Sequence, residues 1–161
     1  MPIASRLKSV FEPLRRRRHI NMGFGFMVRG NVDYSRILVA VDGSKTAENA
    51  AVRALEIAKL TGASVIALHV VPSLVEPLKE EGHRVLDTIA YLGSKFGVQV
   101  DKRLREGKRP AETIVRLAEE AKVDLVVMAS KSKTGIARRL LGSNAEYVVR
   151  HAICNVLVIK E

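Results

Sequence analysis

The sequence contains a single cysteine, Cys154, so no disulfide can form within one chain. The cysteine lies beside the last apolar run, and we expect it to be buried and unreactive. The longest apolar runs are far shorter than the roughly 20 residues that a membrane-spanning helix needs, so no such helix is predicted. These two absences together predict a cytoplasmic protein.

The sequence also lacks the common spacings of catalytic and metal-binding motifs. It has no GxxxxGK[ST] phosphate loop, and its histidines, cysteine and acidic residues do not form a cluster with metal-ligand spacing. No Ser-His-Asp arrangement can be argued from residue order alone. Only Asp42 is suited to act as a general base, which favours a binding protein over an efficient enzyme.

What is present is typical of one globular domain with an additional basic segment. The chain has 161 residues, of which 47% are hydrophobic and 27% are charged. The net charge of +10 is unevenly distributed: residues 1–30 contain seven basic groups and one acidic group, whereas residues 31–161 contain 20 basic and 16 acidic groups. Any argument for a nucleic-acid or membrane partner therefore depends on the first segment.

We interpret residues 1–33 as a basic arm and linker, separate from a domain over residues 34–161. The arm includes four consecutive arginines, Arg15, Arg16, Arg17 and Arg18. Such a run is usually a solvated segment, but it would also suit electrostatic binding to a nucleic acid, an anionic membrane or a protein partner. The only aromatic residues in the arm are three phenylalanines, which gives little support for base stacking.

The domain alternates between strand-like and helix-like patterns. Strands are predicted over 37–41, 65–71, 98–104, 124–128 and 155–159, and helices over 45–60, 85–96, 110–121 and 142–151. Five strands alternating with four helices predict a doubly wound parallel sheet with helices on both faces. Ligands bind to such sheets beyond the carboxyl ends of the strands, where the strand order reverses.

The first and fourth strands end in the two loops that are richest in small, polar and charged residues, so we infer that these strands are neighbours. Asp42 follows the first strand, and a basic loop with Lys131 and Lys133 follows the fourth. Gly142 and Ser143 then open the last helix, whose positive end could face a phosphate. The sequence therefore predicts an anion site between these two loops.

Each of these residues also has a plainer interpretation. Asp42 could make a turn with Gly43 or cap the next helix, and the basic loop could simply be solvated. Ser143 is predicted to be the N-cap of the last helix whether or not it contacts phosphate. His69 is expected to be a packed core histidine rather than a ligand, and His151 is expected to pack or to interact with the helix dipole.

Three segments resemble the universal stress protein family. They are ILVAVDGS at 37–44, ALHVV at 67–71 and, most specifically, LLGSNAEYVVRHAICNVLVIK at 140–160. The resemblance covers residues 34–161 and leaves out the arm. It implies the strand order 3-2-1-4-5, an adenine nucleotide alpha hydrolase-like fold and a cytoplasmic role in stress response. It also implies a homodimer paired through the last strand, which contains Asn155, Val156, Leu157, Val158 and Ile159.

Some members of this family bind ATP, and the binders resemble one another in a G-x2-G-x9-G-[S/T] motif after the fourth strand. In this chain the motif positions are Ala129, Ser132, Gly142 and Ser143, so two of the three glycines are replaced. Glycine serves where backbone must approach a phosphate closely or adopt a positive φ. A methyl group at the first position should be tolerated, whereas serine at a positive φ would cost roughly 1 kcal/mol or more.

The resemblance implies a set of nucleotide-binding positions. Ala40 and Asp42 would contact the nucleotide at the end of the first strand, with Asp42 near a ribose hydroxyl or a metal-bound water. Val70 and Met128 would line the adenine pocket, although both would be core residues even without a ligand. The phosphates, with Mg²⁺ bound only together with ATP, would be surrounded by Ala129, Ser132, Gly142, Ser143 and Asn144, and by Lys131 and Lys133. The alternative is a nucleotide-free interaction module that acts through its arm.

Overall fold

The computed structural model describes residues 33–130 and 141–160. Its strands are β1 (Arg36–Ala40), β2 (Ser64–Val71), β3 (Val100–Glu106), β4 (Leu125–Ala129) and β5 (Asn155–Ile159). Its helices are α1 (Lys45–Thr61), α2 (Leu78–Phe96), α3 (Pro110–Glu120) and α4 (Ser143–His151). The predicted order of elements is confirmed. The largest difference in bounds is at the start of α2, which begins seven residues before its apolar stripe.

The five strands form one parallel sheet in the order β3-β2-β1-β4-β5. This order is the one implied by the family resemblance, and it makes β1 and β4 neighbours, as inferred from their loops. The strand order reverses at β1, because β2 lies on one side of it and β4 on the other. The carboxyl ends of β1 and β4 therefore flank the place where sheets of this kind bind ligands.

Alternate residues of the central strands pack into two separate cores. On one side of the sheet, which we call the α1–α2 face, Ile37 and Val39 pack with the alanines of α1 and with Leu86 of α2. On the opposite side, the α3–α4 face, Leu38 packs with Ile114 of α3 and with residues of α4. Fully burying a side chain of this kind stabilises the fold by about 1.5–3 kcal/mol. Side chains on both faces of β1 and β4 therefore pack in the protein core.

Helix α1 packs close to the sheet because its buried side chains are small, and both of its ends are capped. Its buried stripe consists largely of alanines, which let the helix axis approach the strands. At its start Ser44 Oγ accepts a hydrogen bond from the Ala47 N–H at 3.1 Å. At its end Gly62 adopts the left-handed conformation with φ of 79°.

The two edge strands differ in character. β3 is mostly exposed and charged, and Lys102 pairs with Asp87 of α2 at 2.6 Å. This ion pair lowers the pKa of the Asp87 carboxyl through the hydrogen bond and the charge of Lys102. Charged side chains of this kind discourage a further strand from pairing with an edge. β5 carries no such charges, since its four residues after Asn155 are apolar and half-buried.

At the amino ends of the strands, Asp124 ties β1 to β4. Its Oδ2 accepts hydrogen bonds from the N–H groups of Ser35 and Arg36, each at 2.8 Å. The Asp124 N–H donates to the Arg36 carbonyl at 2.9 Å, and the Arg36 guanidinium donates to the Ala121 carbonyl. These hydrogen bonds set the register of the two strands at the end of the sheet opposite their carboxyl ends.

Gly93 provides a test of how tightly α2 packs against the β3 side of the sheet. A Cβ at Gly93 would contact Val100 Cγ2 and lie 2.9 Å from the carbonyl oxygen of Val98. Main chain cannot move aside as a flexible side chain can, so Gly93→Ala should lower the free energy of unfolding by about 1–3 kcal/mol. Urea denaturation followed by circular dichroism measures the change.

The matched control is Ser94→Ala, at the neighbouring exposed position of the same helix. Helix propensity alone would make Gly93→Ala stabilising by up to about 1 kcal/mol. A stabilised Gly93→Ala protein would therefore contradict the close approach described above.

Candidate functional site

The candidate site begins where β1 and β4 end side by side. Ala40, the last residue of β1, is in register with Leu68 of β2 on one side and with Met128 of β4 on the other. Val70 lies two residues beyond Leu68, so its side chain points to the same face of the sheet as that of Leu68. Three predicted site residues from three strands are thus brought to one end of the sheet.

The side chains of Ala40, Val70 and Met128 all belong to the α3–α4 face. Met128 is buried, whereas Ala40 and Val70 are half-buried and so remain partly accessible. Together they form an apolar surface at the carboxyl ends of the strands, next to the first turns of α3 and α4. The residues predicted to bind the adenine base therefore lie on the same face of the sheet, which no single sequence motif indicates.

Asp42 makes a tight turn after β1. Its Oδ1 accepts a hydrogen bond from the Ser44 N–H at 3.0 Å, with Gly43 at φ of 78° between them. The turn interpretation of Asp42 is therefore confirmed. The helix-cap interpretation is wrong, because the side chain that caps α1 is Ser44. The carboxyl group is half-buried at the mouth of the predicted site.

The start of α4 differs by one residue from the prediction. Gly142 is the N-cap, with φ of −64° and ψ of 151°, and Ser143 is the first helical residue. The prediction that Ser143 caps the helix is therefore wrong. The reason is that the Gly142 N–H donates to the Ser130 carbonyl at 2.7 Å while the Gly142 carbonyl accepts from the Glu146 N–H at 2.9 Å.

The two hydrogen bonds of Gly142 determine which N–H groups at the start of α4 are available to bind an anion. The Gly142 N–H is used by Ser130, so it is not free to donate to a phosphate. The first N–H groups of an α-helix have no acceptor within the helix. In α4 these groups belong to Ser143, which is exposed, and Asn144, which is half-buried. The positive end of the helix dipole adds to their attraction for negative charge.

Ala129, at the first glycine position of the motif, directs its methyl group away from the site. It is 8% exposed and packs in the core of the α1–α2 face, opposite to Ala40, Val70 and Met128. Its φ is also ordinary, since Lys122 is the one non-glycine residue with a positive φ in ranges 33–130 and 141–160. Neither a clash with a ligand nor backbone strain follows from alanine at this position.

The second departure from the motif, Ser132, lies outside the described residues. The same is true of the basic residues of this loop, Lys131, Lys133, Arg138 and Arg139, and of the four arginines of the arm. Gly142 and the loop's last residue, Leu141, are described, and so is Ser130 at its beginning. The Gly142–Ser130 hydrogen bond brings the two ends of this loop together beside the site.

The remaining candidate residues have structural partners. His69 is half-buried rather than fully packed, and its Nδ1 lies 2.7 Å from the Val41 carbonyl oxygen. His151 stacks on Tyr147 with ring centroids 3.9 Å apart, in agreement with its predicted packing role. No group of three or more His, Cys, Asp or Glu residues suited to a metal ion occurs in the part of the chain that the structure describes.

Cys154 was expected to be buried, but it is half-buried in the single chain. The reason is its position just before β5, an edge strand that has a neighbour on one side only. Even this partial burial raises the pKa of the thiol, because desolvation disfavours the thiolate.

No helix within the described ranges is long and apolar enough to cross a membrane.

Sequence reasoning missed a cavity of about 340 Å³ at the corner between β3 and α3. Its lining includes Gly107, Lys108, Arg109 and Thr113. A Cβ at Gly107 would lie 2.5 Å from Thr113 Oγ1 and 3.2 Å from Val70 Cγ1, so this corner adjoins the apolar surface of the site. The glycine followed by two basic residues after the third strand was the signal that could have indicated it.

Comparisons with known proteins agree with this geometry. The family model described as "Universal stress protein family" matches residues 33–160. Universal stress protein MJ0531 of Methanocaldococcus jannaschii is 39% identical over 142 residues, which are 80% of this chain and 83% of that protein.

Two solved structures are similar over the same region. Hypothetical protein MJ0577 is 32% identical with a TM-score of 0.74, covering 81% of this chain and 98% of that one. The universal stress protein from Archaeoglobus fulgidus in complex with dAMP is 28% identical with a TM-score of 0.67, covering 80% and 99%. The fold, the motif positions and these matches lead to one conclusion: the chain belongs to the universal stress protein family.

Proposed function

We propose that this protein binds an adenine nucleotide, ATP with Mg²⁺ in particular, beyond the carboxyl ends of β1 and β4, and acts as a regulatory protein in the stress response. The observation that carries the proposal is the shared apolar face of Ala40, Val70 and Met128 between the Asp42 turn and the start of α4. A relative with 28% identity that is solved in complex with dAMP supports the adenine part of the ligand.

Each part of the nucleotide has a suitable partner in this arrangement. The adenine ring would lie against Val70 and Met128, since an apolar surface binds the flat face of a base. The Asp42 carboxylate would accept a hydrogen bond from a ribose hydroxyl. The phosphates would face the first N–H groups of α4 at Ser143 and Asn144, where the helix dipole favours negative charge.

The loop between β4 and α4 would complete the phosphate site with Lys131, Ser132 and Lys133, and the main chain at Ala129 would lie beside them. The methyl group of Ala129 packs on the opposite face of the sheet, so the replaced glycine at this position does not argue against binding. Mg²⁺ would be held chiefly by the phosphates, as this ion keeps several waters and takes few protein ligands. Asp42 is suited to contact one of those waters.

A binding role fits the chemistry of the cleft better than efficient catalysis. Asp42 is the acidic residue at the mouth of the site, and its Oδ1 already accepts a hydrogen bond in the turn. A carboxylate used in this way is a poor general base, so turnover of ATP would be slow. Nucleotide-dependent changes in the loop after β4 would then alter how the protein binds its partners.

We also propose that the protein is a cytoplasmic homodimer paired through β5. This edge strand has four apolar residues, Val156, Leu157, Val158 and Ile159, all half-buried in the single chain. Two apolar residues near this edge, Val149 and Ile153, are 49% and 76% exposed. An apolar edge without charged residues is a surface that pairs readily with a second copy.

The alternative function, a nucleotide-free module that acts through its arm, rests on the charge of residues 1–30. Seven basic groups against one acidic group would give this segment affinity for a nucleic acid or an anionic membrane. Deleting residues 1–26 separates the two functions. Under our proposal nucleotide affinity survives the deletion, whereas under the alternative partner binding is lost and there is no nucleotide affinity to preserve.

Replacing Asp42 tests the nucleotide site directly. We expect Asp42→Ala to weaken ATP binding about tenfold or more, equivalent to roughly 1.4 kcal/mol, because a ribose contact and the turn geometry are both lost. Isothermal titration calorimetry with ATP and Mg²⁺ measures the affinity. The control is Asp101→Ala on exposed β3, which should leave it unchanged. Absence of ATP binding by the unsubstituted protein would refute the proposed function.

The two departures from the glycine motif make a second, separate test. Because the Ala129 methyl group points into the α1–α2 face, Ala129→Gly should change ATP affinity by less than about threefold, a difference below 1 kcal/mol. Ser132→Gly is expected to have the larger effect, since the serine replaces a glycine in the phosphate loop itself. A tenfold gain from Ala129→Gly in the same titration would contradict the orientation of that side chain.

The dimer can be tested at an exposed apolar position. Ile153→Asp should shift the protein from dimer to monomer, because it introduces a charge beside β5 that would have to be desolvated in the interface. Sedimentation velocity detects the change. Leu60→Asp is the matched control: Leu60 is 70% exposed at the end of α1, where the chain turns toward β2, and β2 is not a neighbour of β5, so its replacement should leave the dimer intact. Monomeric unsubstituted protein would count against pairing through β5.

A further inference from the structure

The peptide group at the end of β1 is held by a side chain from the neighbouring strand. Val41 follows the last residue of β1, and its N–H donates to the Leu68 carbonyl at 2.9 Å. Its carbonyl oxygen instead lies 2.7 Å from Nδ1 of His69, a residue 28 positions later. Val41 is 5% exposed, and a buried carbonyl is stabilised by a partner within the protein.

The chemistry of this contact determines where the proton lies. A carbonyl oxygen can only accept, so Nδ1 of His69 must be the donor. The hydrogen bond between His69 and Val41 therefore requires a proton on Nδ1.

Helix α2 is shaped to admit the His69 ring. Gly82 is buried, and a Cβ there would lie 3.1 Å from His69 Cδ2 and 2.5 Å from Leu104 Cδ1. Three residues later, Val85 packs against the turn after β1, since a Cβ on Gly43 would lie 3.1 Å from Val85 Cγ2. One helix thus contacts both the histidine and the turn that it holds.

The turn held in this way carries Asp42. The peptide between Val41 and Asp42 includes the carbonyl that His69 binds, and Asp42 Oδ1 is fixed by the Ser44 N–H two residues later. The turn is therefore restrained on both sides of the Asp42 Cα. His69 and Val70 are adjacent in β2 but point to opposite faces, so the ring stays out of the ligand cleft that Val70 lines.

We propose that His69 is a positioning residue for the nucleotide site: it holds the Val41–Asp42 peptide and thereby orients the Asp42 carboxylate toward the ligand. This inference rests on the proposed nucleotide-binding function and adds a residue that does not touch the nucleotide. Its specific claim is that the donor at the Nδ1 position matters, rather than the bulk of the ring.

Two amide substitutions separate the donor from the bulk. In His69→Asn the side-chain NH₂ lies about where Nδ1 was, so the bond to Val41 can re-form. In His69→Gln the NH₂ lies one bond farther out, near the position of Nε2, and the bond is lost. His69→Leu, which has no donor, is a second variant in case the glutamine protein does not fold. His151→Leu is the control. His151 Nδ1 also lies 2.7 Å from a main-chain carbonyl oxygen, but this bond lies within α4 and does not involve the turn after β1.

Two measurements are made on each variant, with urea denaturation to verify folding. The first is amide hydrogen exchange at Asp42, Gly43 and Ser44, which reports the turn without any ligand. The second is ATP affinity by calorimetry. We expect His69→Gln and His69→Leu to speed exchange at these amides and to weaken binding, each about tenfold, whereas His69→Asn and His151→Leu stay within about threefold of the unsubstituted protein.

The two proposals fail in distinguishable ways. If the unsubstituted protein does not bind ATP, the proposed function fails, and exchange at Asp42, Gly43 and Ser44 alone decides whether His69 holds the turn. If ATP binds but His69→Gln and His69→Leu leave both exchange and affinity unchanged, the positioning role is refuted. Equal losses in the asparagine and glutamine variants would also refute it, because bulk rather than the donor would then be responsible.

Discussion

The pairing of β1 with β4 is the constraint on which the rest of this domain depends. Four residue pairs, from Ile37–Leu125 to Ala40–Met128, set the register, and Asp124 fixes it at the amino end through two main-chain N–H groups. Both strands are buried on both faces, so a shift by one residue would turn every side chain to the wrong core. The same pairing brings together the two loops that form the candidate site.

The two faces of the sheet contribute differently to that site. On the α3–α4 face, Ala40, Val70 and Met128 form the apolar surface against which we propose that the adenine binds. On the α1–α2 face, His69 and helix α2 restrain the turn that carries Asp42. In the proposed site, adjacent residues of β2 would thus serve ligand binding and rigidity separately, because successive side chains of a strand point to opposite sides. Restraint of a binding residue from behind reduces the entropy lost when the ligand binds.

Much of the fold could be predicted because its signals are local. Gly62 and Gly97 end α1 and α2 in the left-handed conformation and Pro110 opens α3, which are the positions that these residue types favour. The site was less predictable, because its details depend on contacts between distant residues. The hydrogen bond between His69 and Val41 joins residues 28 positions apart. The hydrogen bond between Gly142 and Ser130 explains why the N-cap of α4 is Gly142 and not Ser143. The direction of the Ala129 side chain followed from strand register, which the motif alone does not contain.

The hydrogen bond between Gly142 and Ser130 has a consequence for how this domain can diversify. It joins the two ends of the loop after β4 by main-chain atoms alone, with Ser130 also bonded to the Ile159 carbonyl of β5. Closing a loop costs only about 0.6 kcal/mol more for each doubling of its length. Residues between these two anchors can therefore be replaced, inserted or removed at little thermodynamic cost to the sheet. If this segment binds the phosphates as we propose, its ligand preference can change while the scaffold stays the same.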